Sequence, residues 1–282
     1  MKQAWIGDME PTVFHITHVK SGSQWVYQVL RECAPTRIIK PRVKVAQFYE
    51  DAIVPGMIYP TVYVPRDRFE STLRPRVQPD PTAGPAADSP VFQNWKNFVE
   101  QDRPVKMFVV IRDLRDTLIS LYFSLKVSHA IISDNVAQGH KKLNELEFED
   151  GLLYLFGEGN GTAIRVQADI QRSWLPVCQQ GGALLVRYED LIADELTQFE
   201  KIVDHCVINI SPAQLREIVK HNSFTNRAGR ERGQEDVSSH YRKGISGDWA
   251  NYFTDRVKAE FKERFGQQVL HLGRMRIFGI FL

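Results

Sequence analysis

The chain has 282 residues, a formal net charge of +2 and three cysteines. Its length suits one large α/β domain or two small ones, and its near-neutral charge argues against a nucleic-acid-binding protein held by phosphate contacts. The cysteines are unevenly spaced, which argues against a disulfide framework or a metal site and favours reduced thiols in the cytoplasm. No apolar run approaches the ~20 residues that a membrane-spanning helix needs, so we expect no membrane partner.

The first predicted element is a strand over residues 13–19 that leads through a polar loop into a helix. The strand is rich in β-branched and aromatic residues, and Val26, Val29 and Leu30 fall on one face of the helix. The loop between them reads Lys20-Ser21-Gly22-Ser23-Gln24-Trp25. A glycine that lets the backbone approach a ligand, amides at a helix N-terminus and a lysine charge together make an anion cradle. It is not a Walker A motif, because its lysine precedes the glycine, and a simple Gly/Ser turn is the alternative interpretation.

The middle of the chain alternates extended segments with longer polar ones. Residues 59–65 form a short extended segment closed by proline, and the proline-rich residues 71–90 are typical of a surface loop. Residues 105–111 are the clearest strand, a nearly continuous apolar run expected of a buried parallel strand. An amphipathic helix follows Arg112, whereas residues 127–162 are predicted to be irregular.

The second half of the chain repeats this alternation of strands and helices. The predicted elements, in order, are a helix that stops at Pro176, a strand over residues 183–186, a helix over residues 196–206, a helix that opens with a capping box at Ser211, a polar stretch over residues 224–241 and a helix after Thr254 that stops at Gly266. The apolar end, residues 277–282, either docks on the core or marks a cut domain boundary.

Strands that alternate with helices predict an α/β fold with a central parallel sheet and helices on both faces. In such sheets, ligands lie at the carboxyl ends of the strands. Three predicted strand ends carry polar groups suited to anion binding: Lys20-Ser21-Gly22, Arg112 with Ser120 in the following helix, and Arg187-Tyr188. We therefore expect one site where these three segments meet.

Four separated segments carry motifs that occur together in one protein family. They are Lys20-Ser21-Gly22-Ser23-Gln24-Trp25, Arg112 with Arg115-Asp116 and Ser120, Tyr188-Glu189-Asp190-Leu191, and Arg242-Lys243-Gly244-Ile245-Ser246-Gly247-Asp248-Trp249 before Phe253-Thr254. In these motifs the chain resembles the cytosolic sulfotransferases, which move a sulfuryl group from 3′-phosphoadenosine 5′-phosphosulfate (PAPS) to a hydroxyl or amine. The resemblance covers residues 13–265 and implies the P-loop-like sulfotransferase fold, a single domain over residues 1–282, and PAPS as cofactor without a metal.

The resemblance also assigns roles to the motif residues. The implied ligands of PAPS, or of its product 3′-phosphoadenosine 5′-phosphate (PAP), are Lys20, Ser21, Gly22, Ser23 and Gln24 at the 5′ end, Arg112, Ser120, Arg242, Lys243 and Gly244 at the 3′-phosphate, and Trp25, Phe224 and Tyr188 around the adenine. Lys20 would stabilise the charge that develops on the leaving phosphate. Asp248 and Trp249 are predicted to be a scaffold for the second 3′-phosphate motif. Each ligand has a plainer alternative as a solvated lysine, a surface ion pair or a core aromatic ring.

The chain departs from the family on the acceptor side. Many members carry Lys-Thr-His-Leu-Pro, whose histidine removes the acceptor proton, but Thr61-Val62-Tyr63-Val64-Pro65 places a tyrosine there. Tyrosine has a reference pKa near ~10, so it is a poor general base at neutral pH unless its pKa is lowered. Three explanations stay open: another base, drawn from His129, Glu50, Asp51, Asp67 and Glu70; an amine or acidic hydroxyl acceptor that needs little help; or a protein that binds PAPS without efficient transfer.

The sequence therefore favours a cytoplasmic PAPS-dependent sulfotransferase that transfers in line to a small-molecule acceptor, such as a metabolite or natural product. The catalytic candidates are Lys20, Ser120, Tyr63 and His129. The alternative is a PAPS- or PAP-binding module with weak or no transfer, and a P-loop kinase is a third interpretation that lacks the Walker lysine. The oligomeric state is open, because the family's dimer segment has no counterpart in residues 251–265.

Overall fold

The computed structural model describes residues 10–41, 53–73, 104–157 and 164–278. The strands are β1 (Thr12–Thr17), β2 (Ile58–Val62), β3 (Val105–Ile111) and β4 (Leu184–Arg187). The helices are α1 (Ser23–Cys33), α2 (Arg66–Leu73), α3 (Leu114–Phe123), α4 (Asp134–Glu145), α5 (Phe148–Tyr154), α6 (Ile164–Gln179), α7 (Tyr188–Ala193), α8 (Glu195–His205), α9 (Pro212–His221), α10 (Phe224–Ala228) and α11 (Asp255–Phe278), with a π-helical turn at Ser124–Ser128 and a 3-10 turn at Asp248–Asn251.

The four strands form one parallel sheet in the order β2-β1-β3-β4. Thr17 of β1 pairs with Val110 of β3, and Ile111 of β3 pairs with Arg187 of β4. The sheet confirms the predicted α/β class. Parallel pairing also brings the carboxyl ends of β1, β3 and β4 to the same edge.

Helices cover both faces of the sheet, because alternate residues of each strand point to opposite sides. Val13, Phe108 and Val110 pack in one core with α1, α8 and α9. Phe14 and Val109 pack in a second core with α2 and α6. Strands that are buried on both faces have apolar residues at successive positions, which explains why residues 105–111 were predicted with the bounds that β3 has.

The prediction that residues 127–162 are irregular is wrong for most of their length, since they contain α4 and α5. Val136, Gly139 and Leu143 form the buried face of α4. A face with so few apolar residues gives a weak periodic signal in the sequence. The helices pack with α3 and α11 in a third core, and residues 158–163 lie outside the described part of the chain.

Two predicted helix ends are also wrong. Helix α6 runs through Pro176 to Gln179. A proline there cannot donate to the carbonyl of Arg172, but both residues are exposed, so water can reach that carbonyl. Helix α11 continues past Gly266 to Phe278, because a glycine inside a helix costs only ~1 kcal/mol relative to alanine.

Other predictions are tested only in part. The proline-rich residues 71–90 lie mostly outside the described residues, and the side chains of the apolar end, residues 277–282, are not described. The polar stretch over residues 224–241 begins with the short helix α10. All three cysteines have free thiols. Across the described residues, no helix combines the length and the apolar character needed to cross a membrane.

Candidate active site

Three polar segments leave the same edge of the sheet. Lys20 follows β1, Arg112 follows β3 and Tyr188 follows β4, and the carboxyl ends of these strands are neighbours. The segments that were predicted to meet are therefore adjacent. Tyr188, which was predicted at a strand end, is the first residue of α7.

The phosphate loop, residues 18–25, turns sharply between β1 and α1. Lys20 has a φ of 66° and Gly22 a φ of 87°, so both adopt the left-handed conformation. A Cβ atom on Gly22 would lie 3.0 Å from Cδ2 of Tyr188, a tight contact from which the tyrosine ring would have to shift. Among the described residues, the amides of residues 21–25 have no hydrogen-bond acceptor. Unpaired amides at a helix N-terminus are the arrangement that binds an anion.

Buried side chains hold the phosphate loop in this shape. His18 Nε2 accepts hydrogen bonds from the Arg112 amide (3.2 Å) and from Gln171 Nε2 (2.8 Å), while its Nδ1 lies 2.9 Å from the Val19 carbonyl oxygen. Burial lowers the pKa of His18 to about 4, so this histidine is neutral. Ser21 Oγ donates to the His18 carbonyl (2.7 Å). Ser21 therefore has its amide, and not its hydroxyl, available to an anion.

Arg112 joins the phosphate loop to a segment near the C-terminus. Its Nη1 donates to the carbonyl of Lys20 (3.1 Å), and its Nη2 donates to the carbonyl of Ile245 (3.0 Å). The Tyr188 ring lies against the guanidinium, with its centroid 4.4 Å from Cζ, which is a cation–π contact. The buried Nε of Arg112 has no partner among the described residues. Arg112 thus holds two loops together and keeps one unpaired donor.

The clamp loop, residues 242–249, is bound to α3 through a buried carboxylate. Asp116 accepts hydrogen bonds from the amides of Gly247 (2.6 Å) and Trp249 (2.9 Å). Ser120 lies one turn further along α3, half-buried, and its hydroxyl has no hydrogen-bond partner in the described part of the chain. Because residues four apart share a helix face, Ser120 lies on the side of α3 that faces the clamp loop.

The cationic side chains of the clamp loop are paired with carboxylates in and next to the loop. Arg242 pairs with Asp248 (Nη2 to Oδ2, 2.6 Å) and with Glu235, and Lys243 Nζ lies 2.6 Å from the other Asp248 oxygen. These contacts confirm Asp248 as part of a scaffold. By contrast, the amides of residues 243–246 have no acceptor among the described residues. The clamp loop therefore offers a row of N–H donors, a second arrangement that suits an anion.

The two aromatic rings that were predicted to hold the adenine share a cation, Arg232. Its guanidinium carbon lies 5.6 Å from the centroid of the Trp25 ring and 5.2 Å from that of the Phe224 ring. Arg232 is held by the Gly244 carbonyl (Nη1 to O, 2.6 Å) and by the Glu195 carboxylate (Nη2 to Oε1, 2.5 Å). These contacts connect both rings to the clamp loop.

We expect Gly244→Ala to reduce the affinity for PAP by about tenfold, the equivalent of ~1.4 kcal/mol. Gly244 has a φ of 67°, and a Cβ there would lie 2.5 Å from the Phe224 ring, so the ring or the clamp loop must move. Gly229→Ala is the matched control, because Gly229 has a φ of 68° but nothing within 4 Å of its Cβ position. Titration calorimetry on both variants measures the difference, and equal affinities would contradict the assigned contact.

Lys20 has an unusually acidic ammonium group. Burial, together with the nearby Arg112 charge, lowers the pKa of Lys20 to about 8. Lys20 therefore stays mostly charged at neutral pH and loses its charge as the pH rises through that value. A bound anion stabilises the charged form and should raise this pKa.

We therefore expect the affinity for PAP to fall above about pH 8, where binding should be accompanied by proton uptake. Calorimetry in two buffers with different ionisation enthalpies measures the uptake. Lys20→Met, which has no ammonium group, is the comparison. Equal uptake by the variant and the natural protein would show that another group titrates.

Tyr63, which stands where the family has its histidine, is engaged with the phosphate loop. Its hydroxyl lies 2.7 Å from Ser23 Oγ and also bonds the Gln24 side chain. Burial raises the pKa of Tyr63. Because a tyrosine base would need a lowered pKa, this geometry gives Tyr63 a role in positioning Ser23 and Gln24.

The other base candidates are dispersed. His129 is half-buried after the π-helical turn, with Nδ1 2.7 Å from the Ala130 carbonyl oxygen. Asp67 is exposed, and Glu70 pairs with Arg66 (2.6 Å). Glu50 and Asp51 lie outside the described residues.

A comparison with known proteins places this site in a family. The model of the family described as "Sulfotransferase domain" matches residues 10–273. The chain belongs to the sulfotransferase domain family. Human Sulfotransferase 2A1 is 29% identical over 110 residues, which are 36% of this chain and 39% of that protein. The mouse Sulfotransferase 1 family member D1 is 25% identical over 271 residues, which are 88% of this chain and 80% of that protein.

The chain spans about two fifths of the length of the human relative that it matches. Among solved structures, the mouse sulfotransferase SULT7A1 complexed with PAP matches with a TM-score of 0.58 and 19% identity, over 92% of this chain and 85% of that one. At that identity, the likeness shows the sulfotransferase fold alone.

Several residues that shape the candidate site were not predicted from the sequence. Gln171 and Gln167 fix the phosphate loop from α6, where Gln167 Oε1 accepts from the Val19 amide (3.2 Å). The sequence pattern that could have pointed to these residues is a pair of glutamines four residues apart on an apolar helix face, where both side chains are buried. Arg232 gave no such signal, because its partners Gly244 and Glu195 are distant from it in the chain.

Proposed function

We propose that the protein transfers a sulfuryl group from PAPS to a hydroxyl or amine of a small-molecule acceptor and releases PAP. The observation that carries this proposal is the Arg112 bridge between the carbonyls of Lys20 and Ile245. The bridge sets two groups of unpaired amides beside each other, one in the phosphate loop and one in the clamp loop. A nucleotide with phosphates on both sides of its ribose requires two such neighbouring anion sites.

The residues present fit PAPS. The amides of residues 21–25 and the Lys20 charge suit its 5′-phosphosulfate, while Arg112 Nε and the amides of residues 243–246 suit its 3′-phosphate. When bound, PAPS supplies the sulfuryl group. Lys20 would stabilise the charge that develops on the leaving phosphate, and the amides would fix that phosphate in place.

We propose that the acceptor has an apolar part. Val127, Ile131 and Ile132 are 46%, 61% and 43% exposed, and they flank His129 in the chain. Three exposed apolar side chains within six residues of the chain would supply an apolar surface if they contact the acceptor. A metabolite or natural product with a hydroxyl next to an apolar body would fit.

Incubation of the protein with sulfur-labelled PAPS and a panel of phenols, alcohols and amines tests the proposed activity. We expect a labelled product from at least one apolar hydroxyl acceptor, together with an equal amount of PAP. Heat-inactivated protein is the control for chemical transfer. A protein that gives no labelled product and binds no PAP would contradict the proposal.

The second candidate function is a PAP-binding module without efficient transfer. Tyr63 favours it, because this residue replaces the family's histidine and its pKa is raised by burial. Such a module would bind PAP tightly and form no labelled product with any acceptor in the panel.

We also propose that residues 1–282 form a single cytoplasmic domain. The family match spans residues 10–273. Cys33 and Cys206 are buried and Cys178 is half-buried, all as free thiols, which fits a reducing compartment.

A further inference from the structure

Two buried aromatic rings border the two groups of unpaired amides. Trp25 closes the phosphate loop as the third residue of α1, and the Phe224 ring lies 2.5 Å from the Cβ position of Gly244 in the clamp loop. The buried Nε1 of Trp25 has no hydrogen-bond partner among the described residues. Aromatic rings with an unpaired donor, placed beside anion sites, suit a ligand that carries a flat polar group next to its phosphates.

Arg232 lies against both rings. Its guanidinium carbon is 5.6 Å from the centroid of the Trp25 ring and 5.2 Å from that of the Phe224 ring, so the centroids are within about 11 Å of each other, the sum of the two distances. Two rings that enclose a base must be ~7–8 Å apart, because stacked carbon atoms are ~3.5–4.0 Å apart. The contacts with Arg232 therefore allow the separation that one base requires.

The guanidinium of Arg232 is fixed by partners other than the two rings. Its Nη1 donates to the Gly244 carbonyl (2.6 Å), and its Nη2 donates to Glu195 Oε1 (2.5 Å). Glu195 is the first residue of α8, and the Asp194 side chain caps this helix by accepting from the Thr197 amide (3.1 Å). Arg232 is thus anchored to the clamp loop on one side and to the end of a regular helix on the other.

The same helix supports the Trp25 ring. Phe199 of α8 packs edge-to-face on Trp25, with centroids 5.5 Å apart and planes at 78°. Phe199 follows Glu195 by four residues, so the two side chains leave the same face of α8. Across the described ranges of the chain, Arg232 is the only cation that lies over both Trp25 and Phe224. One helix face therefore sets the position of Trp25 and of the cation beside it.

We propose that Arg232 is a positioning residue that holds Trp25 and Phe224 as a slot for the nucleobase of the donor, an inference that rests on the proposed function. The guanidinium attracts the faces of both rings, and its two hydrogen bonds fix the slot relative to the clamp loop. The base then contributes fully to affinity only while Arg232 bridges the rings. The phosphates depend instead on the unpaired amides and on Arg112.

The test separates the contribution of the base from that of the phosphates. Calorimetry measures the affinity for PAP and for an analogue in which a tetrahydrofuran carries the two phosphates and no base. We expect the natural protein to prefer PAP by ~10–100-fold, as for a base stacked on aromatic rings. In Arg232→Gln, which keeps an amide donor but no charge, this preference should fall by ~5–10-fold.

Two further variants identify the interaction that matters. Arg232→Lys keeps a charge near the rings but cannot donate to the Gly244 carbonyl and Glu195 together, so the preference for PAP should fall by less than in Arg232→Gln. Arg264→Gln is the matched control, because Arg264 lies over the Phe156 ring (5.9 Å) and pairs with Glu260. The control should keep the natural preference.

A general loss of stability would not imitate this result. A variant that is merely less stable, as urea denaturation would show, loses affinity for PAP and for the base-free analogue by the same factor. If Arg232→Gln does not fold, Glu195→Gln removes the carboxylate anchor of Arg232 and should lower the preference in the same direction.

Three outcomes would overturn the assignment of Arg232. They are an unchanged preference for PAP in Arg232→Gln, a higher preference, which would show that the guanidinium blocks the slot, and a natural protein that binds PAP and the base-free analogue equally. A natural protein that binds neither compound would refute the proposed function itself.

Discussion

Replacing Lys20 with methionine should lower the rate of sulfuryl transfer by at least ~10²-fold, the loss expected when one donor to a developing negative charge is removed. Methionine keeps an unbranched apolar side chain but has no charge. Arg112 and the amides of residues 21–25 remain in place, so the affinity for PAP should fall much less than the rate. Initial rates with labelled PAPS and calorimetry with PAP measure the two effects separately.

Lys141→Met is the matched control, because the Lys141 side chain is 81% exposed and makes only a surface ion pair with Glu145. This control should transfer at the natural rate. Undiminished turnover in Lys20→Met would eliminate the role assigned to Lys20, whereas an equal loss of rate and of PAP affinity would make Lys20 a binding group only.

Arg112→Lys should reduce the affinity for PAP by about 100-fold, the equivalent of ~2.7 kcal/mol, even though it preserves the charge. A lysine side chain has no planar guanidinium group with which to donate to the carbonyls of Lys20 and Ile245 at the same time. The phosphate loop and the clamp loop therefore lose the side chain that joins them. The two carbonyls also lose their partner, so the free energy of unfolding should fall by about 1–2 kcal/mol. Calorimetry and urea denaturation measure these effects.

Arg172→Lys controls for the substitution itself, because Arg172 is exposed and pairs only with the surface residue Asp169. We expect this control to match the natural protein in both measurements. If Arg112→Lys binds PAP with the natural affinity, the bridge is not needed to hold the two loops in register, and the site must be organised by other contacts.

The sheet and the order of its helices were predictable because strong local signals specify them. Residues 105–111 form an unbroken apolar run, and β3 has the same bounds. The capping box at Ser211 opens α9 as expected, with Gln214 as its partner. The phosphate loop and Arg112 are adjacent because they follow β1 and β3, which are neighbouring parallel strands. The alternation of strands and helices in the sequence predicted such a parallel sheet.

The side-chain contacts of the site were not predictable, because they join residues far apart in the chain. Asp116 lies far from Gly247 and Trp249 in the chain, so no local sequence pattern encodes the hydrogen bonds between them. The pairing of Arg242 with Asp248 turns an expected phosphate ligand toward a carboxylate. Helix α4 was missed for a local reason, since its buried face contains only Val136, Gly139 and Leu143.

Calorimetric titration of the whole chain with PAP and with adenosine 5′-monophosphate, which lacks only the 3′-phosphate, tests the central claim most directly. That claim is that the phosphate loop, Arg112 and the clamp loop form one site for an adenosine that carries both a 5′-phosphate and a 3′-phosphate. We predict one binding event per chain, with PAP bound much more tightly than the monophosphate and more tightly than ATP with Mg²⁺. Equal affinity for PAP and the monophosphate, or no heat with PAP, would contradict it.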